Sequence, residues 1–167
     1  MAFFTLNELL SYWSLPMLGV NLIVLLHLVG ALLMGMLVGY ERSYHGRAAG
    51  MRTYALVCMA STAIIVIVGY PDHWFAGRVF NTQPDLTRVI QGIVTGIGFL
   101  CAGVIMREGF NISGLTTAAS IWTASIIGVL IGVGFYVAAI ILSLLSFSVM
   151  MWGYKLEVWL PSRHAVT

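Results

Sequence analysis

Charge is scarce in this chain: only 8% of its 167 residues are Asp, Glu, Lys or Arg. A soluble domain carries roughly 25% charged residues, so this chain lacks the charge needed to cover a water-exposed surface. Its formal net charge of +2 is small, and the basic residues are spread over several loops. The composition therefore excludes an ordinary soluble domain and offers no basic patch for nucleic acid.

Cysteines and catalytic motifs are also scarce. The two cysteines, Cys58 and Cys101, both lie in apolar stretches. Neither belongs to a Cys-x-x-Cys pair or has a histidine within a few residues, so we expect no metal site and no cofactor. The sequence has no triad, no Walker or Rossmann glycine loop and no HExxH motif, so we expect a protein that is not an enzyme.

Apolar sequence is abundant, with 60% hydrophobic residues. Repeated apolar runs near 20 residues long match the hydrocarbon thickness of a bilayer, about 30 Å, and they lack the alternation of barrel strands. The sequence predicts an all-α fold, a polytopic helical membrane protein with about five transmembrane helices. The predicted spans are Leu18–Tyr40, Met51–Tyr70, Val89–Met106, Leu115–Ile131 and Val133–Trp152.

The last two predicted spans form one continuous apolar run, so their separation depends on a single turn. Glycine permits tight backbone geometry, and Gly132-Val133-Gly134 is the predicted turn. Without it the chain would have four spans. With it, the predicted organisation is an N-terminal amphipathic segment at 1–17, a transmembrane bundle at 18–153 and a short cytoplasmic tail at 154–167.

Basic residues predict the orientation in the membrane. The first loop holds Arg42, Arg47 and Arg52, whereas the second holds only Arg78 and Arg88. Loops rich in Lys and Arg stay in the cytoplasm, so we expect the first loop, the third loop and the tail to be cytoplasmic. An odd number of spans then places the N-terminus outside.

The third span has two opposite faces, each with the three- and four-residue spacing of one helix side. We expect the apolar face to contact lipid and the polar face to turn toward other helices, where it either packs the bundle or lines a functional site. Facing hydroxyls of the fourth span, which include Thr116 and Thr117, would complete a polar seam. The polar face is Arg88, Gln91, Thr95, Gly98 and Ala102, and the apolar face is Ile90, Ile93, Ile97, Leu100 and Val104.

Glycines four residues apart mark places where helices can approach closely. The spacing leaves open whether each contact lies within one chain or between two chains. We expect a homodimer, with the first span as the preferred interface. The pairs are Gly35 with Gly39, Gly92 with Gly96, and Gly128 with Gly132.

Five short segments, in order between about Gly35 and Gly134, resemble the MgtC/SapB family of bacterial inner-membrane proteins. One departure is Leu86, where the family usually has proline. The chain also ends soon after the fifth span, so we expect it to lack the soluble C-terminal domain of longer, virulence-related members. The segments are Gly39–Arg42 (GYER), Ala49–Thr53 (AGMRT), Asp85–Arg88 (DLTR), Gly96–Gly103 (GIGFLCAG) and Gly114–Ala119 (GLTTAA).

The resemblance implies a multi-pass inner-membrane protein of adaptation to low magnesium, acid or intracellular stress. Family members are proposed to contact other membrane proteins, including the ATP synthase. A small ion or solute transporter that uses the seam between helices three and four is the alternative. The functional candidates are Glu41, Arg42, Arg52, Asp85, Arg88 and Gln91 from the family pattern, with Thr95, Thr116 and Thr117 from the span patterns.

Several of these candidates also have structural explanations. Positive-inside anchoring accounts for Arg42, Arg47 and Arg52 without any function. Asp85 is placed to cap the N-terminus of the third span, where a carboxylate suits free amides and the helix dipole.

Overall fold

The computed structural model of this chain describes residues 15–69, 85–108 and 111–159. Most of the predicted amphipathic segment at 1–17 and the end of the tail lie outside the described residues. The helices are α1 (Leu15–Tyr44), α2 (Met51–Gly69), α3 (Leu86–Val104), α4 (Leu115–Val133) and α5 (Tyr136–Trp159), and strands β1 (Met106–Glu108) and β2 (Asn111–Ser113) join α3 to α4.

All five helices of the described part are long and apolar enough to cross a membrane. The predicted all-α, five-span fold is therefore confirmed. The helix boundaries lie within a few residues of the predicted ones, except at the end of α5, which continues to Trp159 into the predicted tail.

The turn between α4 and α5 falls at the predicted glycines. Gly134 adopts the left-handed conformation with φ of 92°, which costs glycine little because it has no Cβ. The N–H of Gly134 donates to the carbonyl of Ile131, and the N–H of Phe135 donates to Leu130. These bonds satisfy the last carbonyls of α4, so the apolar run divides into two helices.

Helices α2 and α4 form the centre of the bundle. The buried share of their membrane-spanning windows is 44% and 56%, against 11% to 28% for the other three helices. Tyr54, Ile121 and Ile127 are fully buried between them. At the periphery, Tyr136 of α5 donates a hydrogen bond of 2.7 Å to Nε2 of His27, whose Nδ1 bonds the carbonyl of Ile23.

Glycines permit the closest helix contacts, and these contacts lie within the chain. A Cβ on Gly35 would be 2.6 Å from the carbonyl oxygen of Tyr54, and one on Gly39 would be 2.7 Å from Cα of Met51. This face of α1 is occupied by α2, so the prediction that it forms the dimer interface is wrong. Gly128 and Gly132 of α4 also pack on α2, whereas a Cβ on Gly92 or Gly96 of α3 would have no neighbour within 4 Å.

Candidate functional site

A cleft of about 560 Å³ opens at the end of the bundle where the α1–α2 loop meets the β-hairpin. Its walls come from the end of α1, strand β2, the start of α4 and the end of α5. The fold thus joins segments that are far apart in the sequence. The cleft brings together four predicted site residues, Glu41, Arg42, Thr116 and Thr117, with Arg47 beside them.

Glu41 and Arg42 form a buried ion pair in the cleft wall. Nε of Arg42 lies 2.7 Å from Oε2 of Glu41, and the two side chains are only 6% and 3% exposed. The same Nε donates to Sδ of Met150 at 3.3 Å, which ties α1 to α5. His45, one helical turn after Glu41, places Nδ1 3.1 Å from Oε1 of Glu41.

Within the described residues, Oε2 of Glu41 is buried without a hydrogen bond, because its contact with Arg42 has ion-pair distance but lacks hydrogen-bond geometry. Burying charges is costly, and the mutual attraction offsets that cost only where the geometry is good and the remaining atoms are bonded. The Glu41–Arg42 pair is therefore a costly feature for a bundle held together by packing.

The start of α4 adds a second electrostatic feature to the cleft. Gly114 is the N-cap, with φ of 86° and no side chain to accept a bond from the first-turn amides. A helix N-terminus favours negative charge, and the guanidinium groups of Arg42 and Arg47 line the same cleft. One wall thus attracts anionic groups, while the buried carboxylate of Glu41 attracts hydrogen-bond donors or cations.

Tyr54 links the cleft to the bundle interior. Its hydroxyl donates to the carbonyl of Thr117 at 3.4 Å and contacts Oγ of Ser120. Further along the same interface, Oγ of Ser61 lies 3.1 Å from Oγ of Ser125. The sequence analysis did not identify Tyr54 and Ser61, the α2 residues that bond α4. A signal was present, since one face of α2 repeats with helical spacing at Tyr54, Cys58, Ser61 and Ile65.

Among the residues that the structure describes, the polar face of α3 does not meet the hydroxyls of α4, so the predicted seam between the third and fourth spans is not formed. The buried hydroxyls of α4 face α2, as the contacts of Ser120 and Ser125 show. Helix α3 packs its apolar face inward instead, with Ile93 buried and Ile97 against the core. The side expected to contact lipid is thus the packed one.

The polar face of α3 points away from the bundle, and we call it the outer stripe. The inward side of α3 meets apolar residues of its neighbours, Ile65 of α2 and Val129 of α4, so its isoleucines complement them better than its polar side would. The stripe residues are all exposed: Arg88, Gln91, Thr95, Gly98 and Ala102.

The remaining predicted residues lie apart from the cleft. Asp85 is the N-cap of α3 and accepts a 2.9 Å hydrogen bond from the N–H of Thr87. Nε of Arg88 lies 3.4 Å from Oδ2 of Asp85, and both side chains are largely exposed. They start a helix whose other end meets the hairpin, so α3 separates them from Glu41. Arg52 is exposed in the first turn of α2.

A bundle of five membrane-spanning helices with a buried charged pair at one end defines a polytopic membrane protein. The MgtC family model matches residues 28–159. The chain therefore belongs to the MgtC family.

Relatives in the same family are considerably longer than the matched region. This chain is 45% identical over 111 residues to Protein MgtC of Salmonella typhimurium (strain LT2), which covers 66% of this chain and 43% of the relative. It is 42% identical over 107 residues to Protein MgtC of Brucella abortus (strain 2308), which covers 64% of this chain and 41% of the relative. No solved structure matches the chain significantly.

Proposed function

We propose that this chain is a regulatory protein of the bacterial inner membrane, which works in adaptation to low magnesium, acid or intracellular conditions. It acts by contacting other membrane proteins, and the ATP synthase is one candidate partner. In this proposal the N-terminus is periplasmic and the cleft opens to the cytoplasm, consistent with the basic residues of the α1–α2 loop. Membership of the MgtC family supports the proposal.

The observation that carries this proposal is the Glu41–Arg42 pair beside an open cleft. Ionisable residues inside membrane bundles are costly and mark functional sites by default. Among the described residues, Oε2 of Glu41 has no hydrogen-bond partner, and the cleft offers the cationic side chains of Arg42 and Arg47 and the N-terminus of α4, which has no side-chain cap. A polar segment of a partner protein that enters the cleft could satisfy these groups.

A small transporter is the second candidate, because the cleft is large enough for a hydrated ion or a small solute. The inner end of the cleft weighs against it. There Tyr54, Thr117 and Ser120 bond one another and are buried. Their contacts fill the space through which a path between α2 and α4 would have to pass.

Charge removal at the cleft tests the proposal in cells. Glu41→Gln alone leaves Arg42 unpaired, a loss that can cost about 3–5 kcal/mol and reduce folding. The double variant Glu41→Gln with Arg42→Met removes both charges, and we expect it to accumulate normally but to lose growth in low magnesium. Ser148→Ala, at an exposed residue of α5 outside the cleft, is the control and should keep both properties.

Two readouts separate the candidates. Normal amounts of the double variant with full growth would contradict a role for the cleft in this function. Liposomes that contain only the purified chain can be tested for magnesium, potassium or proton flux. A flux that disappears in the double variant would favour the transporter. Copurification of a membrane protein that the double variant no longer retains would favour the regulatory protein.

A further inference from the structure

The outer stripe of α3 makes this helix different from the other peripheral helices. The outward residues of α1 and α5 are mostly apolar, as the exposed Leu22, Leu25, Ile140 and Leu144 show, and the exposed hydroxyl of Ser148 bonds within its own helix. Helix α3 instead exposes Gln91 in its second turn and Thr95 near its middle. Within the described residues, these polar groups have no contact with another helix that would remove them from lipid.

Lipid is a poor environment for such a face. Amide and hydroxyl groups lose hydrogen bonds in hydrocarbon unless another protein group supplies them. The helix itself can bond a threonine hydroxyl, but it cannot satisfy the side-chain amide of Gln91 in the same way. The small residues of the stripe also leave a shallow surface, since a Cβ on Gly98 would have no neighbour within 4 Å.

We propose that the outer stripe is the contact surface between two copies of this chain. The proposal rests on the proposed function only in that the protein works through protein contacts. Copies inserted in the same direction are related by a two-fold axis along the membrane normal, so each stripe residue meets its counterpart at the same depth. The surface must therefore be complementary to itself.

The polar groups of the stripe meet that requirement. An amide both donates and accepts hydrogen bonds, and so does a hydroxyl, so Gln91 and Thr95 can each bond their own counterpart. Arg88 would meet a second arginine, but Asp85 lies one turn earlier with the opposite charge. These two side chains are 85% and 53% exposed and 3.4 Å apart, so each can exchange this solvent-accessible contact for one with the other copy.

The small residues of the stripe meet the steric requirement. Gly98 and Ala102 are four residues apart on the same face, which lets two helix backbones approach closely. Bulky Phe99 lies beside them and is 86% exposed, where it can flank the contact. A second copy thus satisfies the donors, acceptors, charges and shape of the stripe together.

Cysteine crosslinking of the purified full chain in liposomes tests the proposal. Cys58→Ala and Cys101→Ser give the background, in which serine keeps a donor for the carbonyl of Ala118 that Cys101 now bonds. Single cysteines replace Thr95 or Ala102 on the stripe, or Leu25 and Leu144 as matched lipid-facing controls. At high lipid-to-protein ratio, oxidation should give a product of twice the chain mass at the stripe and little at the controls.

A second variant tests the same interface by adding a bulky side chain to the stripe while the crosslinking cysteine stays at Thr95. Gly98→Leu should lower the crosslinked fraction at Thr95 by about tenfold, as expected for the loss of a close helix contact. Gly19→Leu is the control, because Gly19 also has no neighbour within 4 Å, and it should leave the fraction unchanged. Equal crosslinking at Leu144 and Thr95, or no effect of Gly98→Leu, would overturn the proposal.

The outcome is independent of the function test at the cleft. Dimer formation is measured with no other protein present, whereas the Glu41 and Arg42 variants are measured by growth. If the stripe crosslinks only in cell membranes, and to a protein of different mass, the occupant is a different protein and the second-copy proposal fails. The role of the cleft would be unaffected by that result.

Discussion

Replacing Gly35 by alanine should loosen the contact between α1 and α2. An added Cβ would lie 2.6 Å from the carbonyl oxygen of Tyr54, 2.8 Å from Cα of Ala55 and 2.9 Å from the carbonyl carbon of Tyr54. All three are backbone atoms, which cannot rotate away as a side-chain end could. The two helices must therefore separate locally, at the point where Tyr54 is fully buried.

The size of the effect follows from two opposed contributions. Overpacking a core costs about 1–3 kcal/mol, and contact with three backbone atoms places this site near the upper end. Alanine gains roughly 1 kcal/mol over glycine inside a helix. The net loss is about 2 kcal/mol, which for a chain of this size lowers the unfolding temperature by about 4–8 °C.

Thermal unfolding in one detergent, followed by circular dichroism, measures this difference. Gly96→Ala is the matched control, because Gly96 lies inside α3 and nothing is within 4 Å of its added Cβ. The control should leave the unfolding temperature unchanged or raise it slightly. If Gly35→Ala is as stable as Gly96→Ala, the close packing of α1 on α2 is not what this structure describes.

Three further expectations concern single sites. Tyr54→Phe removes the hydroxyl that bonds Thr117 and Ser120. It should lower the free energy of unfolding by about 0.5–1.5 kcal/mol. Tyr44→Phe, at an exposed residue, is the control and should have no effect in the same assay. Asp85→Asn keeps a good N-cap but removes the charge that pairs with Arg88 outside the cleft. Protein amount and unfolding temperature should therefore be unchanged, while growth in low magnesium is lost if this charge takes part in the function; full growth would remove Asp85 from the functional candidates. In a background without Cys58 and Cys101, an impermeant thiol reagent should label Thr87→Cys but not Ser113→Cys in intact cells, and the reverse pattern would invert the proposed orientation.

Parts of the site were predictable because their signals are local. The GYER segment marks Glu41 and Arg42, and the GLTTAA segment marks Thr116 and Thr117, each through a short pattern of its own. No pattern within one segment, however, shows that the end of α1 faces the start of α4. Met150 of α5, which accepts from Arg42, had no sequence signal, since it is one of many apolar residues in its helix.

The glycine pairs also show which features the sequence predicts and which depend on the tertiary structure. Four-residue spacing correctly marked Gly35, Gly39, Gly128 and Gly132 as positions without room for a side chain. Identical spacing at Gly92 and Gly96 marks an open groove, because none of the described helices packs closely there. The spacing describes a helix surface that permits close approach, and it carries no information about what approaches.

The sequence by itself indicated the apolar spans and most of their ends, because bilayer thickness acts on each apolar run separately and Gly134 can end α4 locally. Only the tertiary structure decided which face of α3 turns inward. In water an amphipathic helix must bury its apolar side, but lipid solvates that side as well as a protein interior does. The sequence pattern of α3 is therefore compatible with either its polar face or its apolar face turned toward the bundle. Complementary packing of Ile93 against Ile65 and Val129 selected the observed one and left the polar stripe outside.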